Sequence, residues 1–276
     1  MKKLPQIMGV LNVTPDSFSD GGRFAAVESA VRQARHMRDA GADIIDVGGE
    51  STRPGAAEVP VAEEIARVVP AIEALRLAFA DDDEEPLISI DTRKPAVARA
   101  AVLAGADMWN DVSALTYADN SVEVAAELGC PLILMHAQGQ PETMQDAPRY
   151  TDAVAEIAAW LEARLEACEA AGVPRDMVTV DPGIGFGKRL RDNLDILKHV
   201  SVFSGMGAGV LVGASRKSFI AKLDGSSVTE RLGGSIAAAV LAAERGANVL
   251  RVHDVAETRQ ALIVTQAVLN AGGPEA

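Results

Sequence analysis

Eight short apolar runs, spread along the 276 residues and each giving way to polar or turn-forming residues, constrain the fold of this chain more than any other feature. They are Ile7 to Val13, Ile44 to Gly48, Leu87 to Asp91, Met108 to Val112, Leu132 to His136, Val178 to Asp181, Val210 to Ala214 and Val249 to His253. Near-continuous hydrophobicity over so few residues is how strands buried on both faces of a parallel sheet read. Between them lie Ala-, Glu- and Arg-rich stretches with helical spacing, such as Val27-Ala30-Val31-Ala34 and Ile157-Trp160-Leu161-Leu165. Several end in a Gly placed as a helix C-cap. One helix-to-strand connection recurs as Ala40-Gly41-Ala42-Asp43, Ala104-Gly105-Ala106-Asp107 and Arg245-Gly246-Ala247-Asn248. A doubly wound sheet seldom supplies eight units of near-equal length, whereas eight βα units in roughly 250 residues have the size of a (β/α)8 TIM barrel. No Pro/Gly/Ser-rich linker divides the chain, so the expected architecture is one α/β barrel domain over residues 1–276.

Charge narrows the partners. With 39 acidic and 26 basic side chains the net charge is -13, and every contact to a nucleic-acid backbone would be made against that field, so nucleic acid is not expected as a partner. The 48% apolar content fills a core and excludes disorder for most of the chain. Ile7 to Leu11 stops at Asn12 and Ile236 to Ala243 stops at Glu244, far short of a membrane span. Cys130 and Cys168 make neither a metal spacing nor a disulfide framework, which suits a reducing, cytoplasmic setting. The acidic run Asp81-Asp82-Asp83-Glu84-Glu85 reads as a solvated loop that repels its neighbours, at the end opposite the active site.

Barrel chemistry sits where strands finish. The strand ends here carry Asn12-Val13-Thr14-Pro15-Asp16, Glu50-Ser51-Thr52-Arg53-Pro54, Asp91-Thr92, Asn110-Asp111, Met135-His136, Asp181-Pro182-Gly183, Ser215-Arg216-Lys217 and Arg251-Val252-His253-Asp254. Strand alternation puts Arg251 and His253 on one face and Leu250 and Val252 toward the helices. One polar strand end is ordinarily a helix cap; eight in agreement point to a site. Asp111 and Asp254, facing the other way, read as capping or supporting residues. The segment Asp181 to Lys188 imitates a nucleotide loop, but Pro182 and Arg189 break the Walker pattern and Lys188 breaks the dinucleotide fingerprint. Its glycines read as letting the backbone approach a flat ligand beside Phe186. Ser215 lacks the Gly-x-Ser-x-Gly elbow and has no evident His-acid relay, which argues against acyl transfer. Lys217 admits a Schiff-base role or the plainer role of an anion-binding ammonium. His136 reads equally as a core histidine and as a catalytic one. His36 and His199 carry no functional signal, and Trp109 and Trp160 read as packing.

Asp91, Asn110 and Asp181 converge without a His or Cys ligand set. A carboxylate facing a guanidine-like heterocycle edge accepts two parallel hydrogen bonds. Arg53, Lys217, Arg251 and His253 form the opposing anion clamp, with Asn12 as a neutral oxygen ligand for Mg2+, an ion that keeps its waters and takes substrate phosphates. Spacing alone leads to a phosphorylated or pyrophosphorylated small molecule and no further.

The segments Gly9 to Gly22, Asp46 to Gly55, Ser89-Ile-Asp-Thr92, Asn110-Asp-Val-Ser-Ala114, Asp181 to Lys188, Ser215-Arg-Lys-Ser-Phe219 and Arg251-Val-His-Asp254 together resemble the dihydropteroate synthase family of folate synthesis. The resemblance runs from the first strand to the last. It implies a (β/α)8 barrel that joins 6-hydroxymethyl-7,8-dihydropterin pyrophosphate to p-aminobenzoate. Asp91, Asn110, Asp181 and Lys217 would hold the pterin, with Met135 as an apolar neighbour. Asn12, Thr52, Arg251 and His253 would hold pyrophosphate, with Asn12 on Mg2+. Phe18, Thr52, Arg53, Pro54, Phe186, Ser215 and Lys217 would form the p-aminobenzoate subsite under two lid loops. Asp91, Asp181, Lys217, Arg251 and His253 are the implied catalytic set. Ala137 stands where Met is common in relatives. No pyrophosphokinase or aldolase domain accompanies the barrel, and the family implies a homodimer through barrel helices, with Ile236 to Ala243 as the candidate contact. Two alternatives are a pterin-dependent methyltransferase, which would not need Lys217 or the Ser51 to Pro54 loop, and a non-catalytic pterin-binding barrel.

Overall fold

A computed structural model describes residues 4–13, 22–51, 57–80, 82, 85–139 and 148–271, the side chains of 22–24 excepted. Phe18, Thr52, Arg53 and Pro54 lie outside the described residues. The strands are β1 (Gln6–Asn12), β2 (Ile44–Gly48), β3 (Leu87–Asp91), β4 (Met108–Asp111), β5 (Leu132–Met135), β6 (Val178–Asp181), β7 (Gly209–Val212) and β8 (Val249–Val252). They pair in parallel in chain order and close through β1 on β8. The expected barrel is therefore the observed one, and the expected strand limits differ by one or two residues at several ends. The helices are α1 (Gly22–Asp39), α2 (Val61–Phe79), α3 (Pro95–Leu103), α4 (Ser121–Leu128), α5 (Ala153–Ala170), α6 (Leu190–Lys198), α7 (Ser218–Asp224), α8 (Leu232–Glu244) and α9 (Val255–Asn270).

Period-two geometry divides each strand between two cores. Outward residues such as Ile45, Val47, Ile88, Ile90, Leu250 and Val252 join the helix-facing core. Inward residues Met8, Ile44, Ile133, Leu211 and Val249 fill the barrel toward the amino ends of its strands. Above them the interior turns polar, which is where the mouth begins. Trp109 is fully buried and donates from Nε1 to the Thr92 carbonyl, and Trp160 packs against the core, so both are packing residues.

The recurrent helix-to-strand connection has one physical form. Gly41, Gly105 and Gly246 have φ of +98°, +112° and +101°, where a side chain is strained. The residue two further on then pairs twice with a neighbouring strand. Asp43 donates its N–H to the Ile7 carbonyl and accepts from the Ile7 N–H, Asp107 does the same with Ile88, and Asn248 with Val210. Where that residue is charged an arginine covers it: Arg259 pairs with Asp43 and Arg76 with Asp107. Asp82 and Glu85, the described residues of the acidic run, lie at this end, as expected, but they are not merely repulsive. Asp82 pairs with Arg38 and Glu85 with Arg76, because basic side chains of α1 and α2 end there.

Candidate active site

At the opposite end, the register aligns Asn12 with Gly48, Gly48 with Asp91, and Asp91 with Asn110. Gly48 lies between two site residues: a Cβ there would stand in ordinary contact, 3.7 Å, with both Asn12 Oδ1 and Asp91 Oδ2. On the far wall, Met135 aligns with Asp181. The arginine between these walls is Arg251, which donates from Nε to Asp46 Oδ2 at 2.6 Å and from Nη2 to Asp91 Oδ2 at 2.7 Å.

Asp46 is a site residue that the reading of strand ends missed. It is fully buried, and it also accepts from Asn110 Nδ2 at 3.2 and 3.4 Å. The signal available was its parity: a carboxylate two residues before Gly48 in an apolar strand points into the barrel.

Burial dominates the protonation chemistry. It pushes Asp91 well above the usual carboxylate range, against the pull of Arg251 and with the push of Asp46. It raises Asp181 to about 6, opposed by the Gly183 N–H and by Lys217 and Lys188. It lowers Lys217 to about 8, helped by the Arg251 charge and opposed by Asp181 and Asp91. Asp91 Oδ1 is buried without a hydrogen-bond partner, an acceptor aimed at nothing in the protein. Lys217 Nζ lies 3.9 Å from the ring centroid of Phe186, a cation–π contact that holds the ammonium over an aromatic face.

One expectation is extended and another changes. Ser215 has a histidine neighbour, with no acid bonded to that ring among the described residues: its Oγ is 3.0 Å from His253 Nδ1 and accepts from the His253 N–H at 3.3 Å. The pair joins the ends of β7 and β8, 38 residues apart, a neighbourhood no local motif displays. Withdrawal from water, then Arg251 and Arg216, lower His253 to about 4, so it stands neutral. The glycines after Asp181 serve packing within the protein. Gly183 and Gly187 have φ of +69° and +61°, and a Cβ on either would collide with the carbonyl oxygen of His136 or Gln138. His136 is a buried core histidine, set edge-on against Trp160 with centroids 4.9 Å apart and bonded to Lys188.

The supporting acids differ from one another. Asp111 caps the turn after β4, accepting from Ser113 N, Ser113 Oγ and Leu115 N at 2.6 to 2.8 Å. Asp254 instead grips Arg216, whose φ of +57° lies in the region favoured by glycine. That backbone is held by Ser235 Oγ, which accepts its N–H, and by Arg231, which donates to its carbonyl. The strained residue thus separates Ser215 from Lys217 and aims both inward.

A second network, also unforeseen, joins the segment after β2 to α2 and the residues after β3. Lys94 is 1% exposed and donates to Glu50 at 2.5 Å, Glu64 at 2.6 Å and the Val59 carbonyl at 2.7 Å. Glu50 also accepts from the Val59 N–H, Thr92 donates to Glu64, and Arg93 lies 3.2 Å from Glu50.

Asn110, Met135, Asp181, Phe186, Ser215, Lys217, Arg251 and His253 line one open cleft, with Val10, Val112 and Ile184 as apolar wall. Asp91 lies against it through Arg251, and Asn12 stands across Gly48. Such a cleft, in which apolar walls and charged groups share the lining, suits a flat heterocycle with an anionic tail. Among the described residues no three His, Cys, Asp or Glu side chains cluster as metal ligands. The oxygen of Asn12 fits a hard cation that takes its other ligands from water and substrate phosphate.

Comparison with known proteins agrees with this geometry. A family model described as pterin binding enzyme matches residues 8–253. Dihydropteroate synthase of Escherichia coli (strain K12) is 49% identical over 267 residues, 97% of this chain and 93% of the relative. Among solved structures, Yersinia pestis dihydropteroate synthase in a sulfonamide drug complex superposes with a TM-score of 0.89 at 45% identity, covering 97% of this chain and 95% of that one. Xanthomonas albilineans dihydropteroate synthase in complex with 7,8-dihydropteroate gives a TM-score of 0.85 at 45% identity, covering 99% and 95%.

Proposed function

The chain belongs to the pterin-binding enzyme family and within it to the dihydropteroate synthases, and from that premise we propose how its barrel mouth performs the family's reaction. The enzyme condenses 6-hydroxymethyl-7,8-dihydropterin pyrophosphate with p-aminobenzoate, giving 7,8-dihydropteroate and pyrophosphate. The observation that carries the assignment of roles is the meeting of Asn110, Asp181, Lys217 and Arg251 in one cavity, with the unpartnered Asp91 Oδ1 behind them.

Asp91, Asn110 and Asp181 receive the N–H groups of the pterin, Lys217 donates to its acceptor edge, and Met135 covers a face. Arg251 and His253 meet the pyrophosphate, with Thr52. Phe186, Ser215 and Lys217 face p-aminobenzoate, with Phe18, Thr52, Arg53 and Pro54 completing that subsite. Asn12 would hold Mg2+ beside the pyrophosphate; when bound, the ion supplies charge stabilisation to the leaving group.

The bond from the exocyclic methylene to oxygen breaks with its electron pair leaving on pyrophosphate. The cation left on the electron-rich dihydropterin faces the carboxylates of Asp91 and Asp181, where low local polarity strengthens the attraction. The arylamine then attacks that carbon through nitrogen and loses a proton. No strong base is required, since an arylamine is already uncharged at neutral pH. Single-turnover quench of enzyme with the pterin pyrophosphate and Mg2+ tests this order. A burst of pyrophosphate of no more than one equivalent per site without p-aminobenzoate, with a water adduct of the pterin, is expected; release in that single turnover that strictly requires p-aminobenzoate would contradict it.

The methyltransferase and non-catalytic alternatives lose their ground to the near full-length likeness to dihydropteroate synthases, with Lys217, Arg251 and His253 together at the cavity. A homodimer is supported by apolar side chains left exposed on adjacent outer helices, Leu241 on α8 and Ile263, Val264 and Val268 on α9. No helix of the described residues is long and apolar enough to cross a membrane. Two free, buried cysteines support a reducing, cytoplasmic setting.

A further inference from the structure

We propose that Lys188 is a positioning residue for the p-aminobenzoate subsite: its buried ammonium locks the turn 183–187 onto the loop after β5 and thereby fixes the ring of Phe186 against Lys217. This rests on the reading of Phe186 as a face of that subsite.

Lys188 is 1% exposed; burial lowers it to about 7 against the pull of Asp181, and its protonated form has three N–H donors. Three acceptors surround it: the Phe186 carbonyl at 2.9 Å, His136 Nδ1 at 3.0 Å and the His136 carbonyl at 3.2 Å. Two come from the loop after β5 and one from the turn itself, so the ammonium ties one loop to the other. His136 is suited to accept. Burial, then the neighbouring Lys188 charge, push it down to about 3, which leaves the imidazole neutral, and Trp160 holds its ring in place.

The rest of the turn is pinned with similar completeness. Gly183 donates to Asp181 Oδ1 at 2.7 Å, Gly185 donates to Asn193 Oδ1 at 2.6 Å, and the Phe186 N–H donates to the Gly183 carbonyl at 3.1 Å. The Gly187 carbonyl accepts from Tyr150 at 3.0 Å. Gly183 and Gly187 bring the turn closer to residues 136–138 than any Cβ permits. Phe186 projects from this mount with its ring under Lys217. Burying an ammonium is costly unless every donor is satisfied. An apolar residue would fill the space but would leave three acceptors unpaired and the Phe186 peptide free to rotate.

Steady-state kinetics of full-length Lys188→Met, with both substrates varied, test the proposal. Loss of a charged hydrogen-bond set is expected to raise KM for p-aminobenzoate about five- to tenfold, with kcat and the KM for the pterin pyrophosphate within about twofold. His136→Asn, which keeps an acceptor where Nδ1 stands, should retain the native KM, while His136→Leu should reproduce the Lys188→Met value. A lowered melting temperature with unchanged KM in Lys188→Met would reduce the residue to a structural one and overturn the proposal. If Lys188→Met fails to fold, equal KM values in His136→Asn and His136→Leu would overturn it. Phe186→Ala separates the premise: unchanged KM for p-aminobenzoate in that variant would sink the subsite reading itself.

Discussion

Arg251 and Asp46, 205 residues apart in sequence, stand 2.6 Å apart across the floor of the cavity. The same guanidinium reaches Asp91, so one arginine serves two buried carboxylates, and the second of these keeps one oxygen unpartnered. The arrangement orients Arg251 before any substrate arrives. Asp46→Ala leaves Arg251 paired with Asp91 but removes its second carboxylate and the acceptor of Asn110 Nδ2. Loss of hydrogen bonds to a charged group is expected to lower unfolding stability by about 1.5–3 kcal/mol and, with Arg251 no longer fixed from two sides, kcat/KM for the pterin pyrophosphate by about tenfold or more. Urea denaturation and initial rates check the two effects separately.

The pH profile of kcat/KM is expected to be bell-shaped. Asp181 is raised to about 6 and Asp91 is raised in the same direction, so the carboxylate forms that receive the pterin are lost as pH falls through that range. Lys217 is lowered to about 8, so its ammonium is lost as pH rises through that value. The limbs report the coupled site of the free enzyme rather than single residues. Asp181→Asn should abolish the acid dependence that remains measurable in Asp91→Asn.

Glycine substitutions should separate close approach from backbone strain. Gly129 has φ +61° with nothing within 4 Å of a new Cβ, so Gly129→Ala pays only the left-handed penalty of about 1 kcal/mol. Gly183→Ala meets a backbone carbonyl at a similar φ and should cost at least about twice as much, in line with overpacked sites. Thermal or chemical unfolding of the two variants compares them directly.

Lys94 joins two carboxylates that are nearly buried with it. Lys94→Met leaves Glu50 with Arg93 and the Val59 N–H but leaves the buried Glu64 without a cation, and is expected to lose about 3–5 kcal/mol. Thr92→Val removes the hydrogen bond to the same Glu64 and the acceptor of the Lys94 N–H but leaves the ion pair, and should lose only about 2 kcal/mol. Equal losses in denaturation would contradict the hub role of the lysine.

The barrel was legible because its signals are local. Eight apolar runs and a repeated Gly-Ala-Asp/Asn connection depend on residues within a few positions of one another, and the observed strands fall on those runs. The polar strand ends were legible for the same reason, since parity along one strand assigns Arg251 and His253 to the mouth. Contacts between strands were not. Asp46 looks like a lone acid in an apolar run until Arg251 is brought to it, and Ser215 has no visible histidine until β7 lies beside β8. Lys188 closes a glycine-rich motif that resembles a ligand loop, and only the position of His136 reveals that the glycines face protein. The net charge of -13 likewise conceals a local balance, with acids paired to arginines at the amino end and Lys217 and Arg251 gathered at the mouth.

The most direct measurement is pyrophosphate release by the purified chain with Mg2+, the dihydropterin pyrophosphate and p-aminobenzoate, each omitted in turn. Sustained release with 7,8-dihydropteroate formed in equal amount, only when both substrates are present, and its loss in folded Asp181→Ala and Lys217→Ala variants, is the predicted result. Folded native chain that forms no dihydropteroate, or variants that turn over at the native rate, would contradict the account.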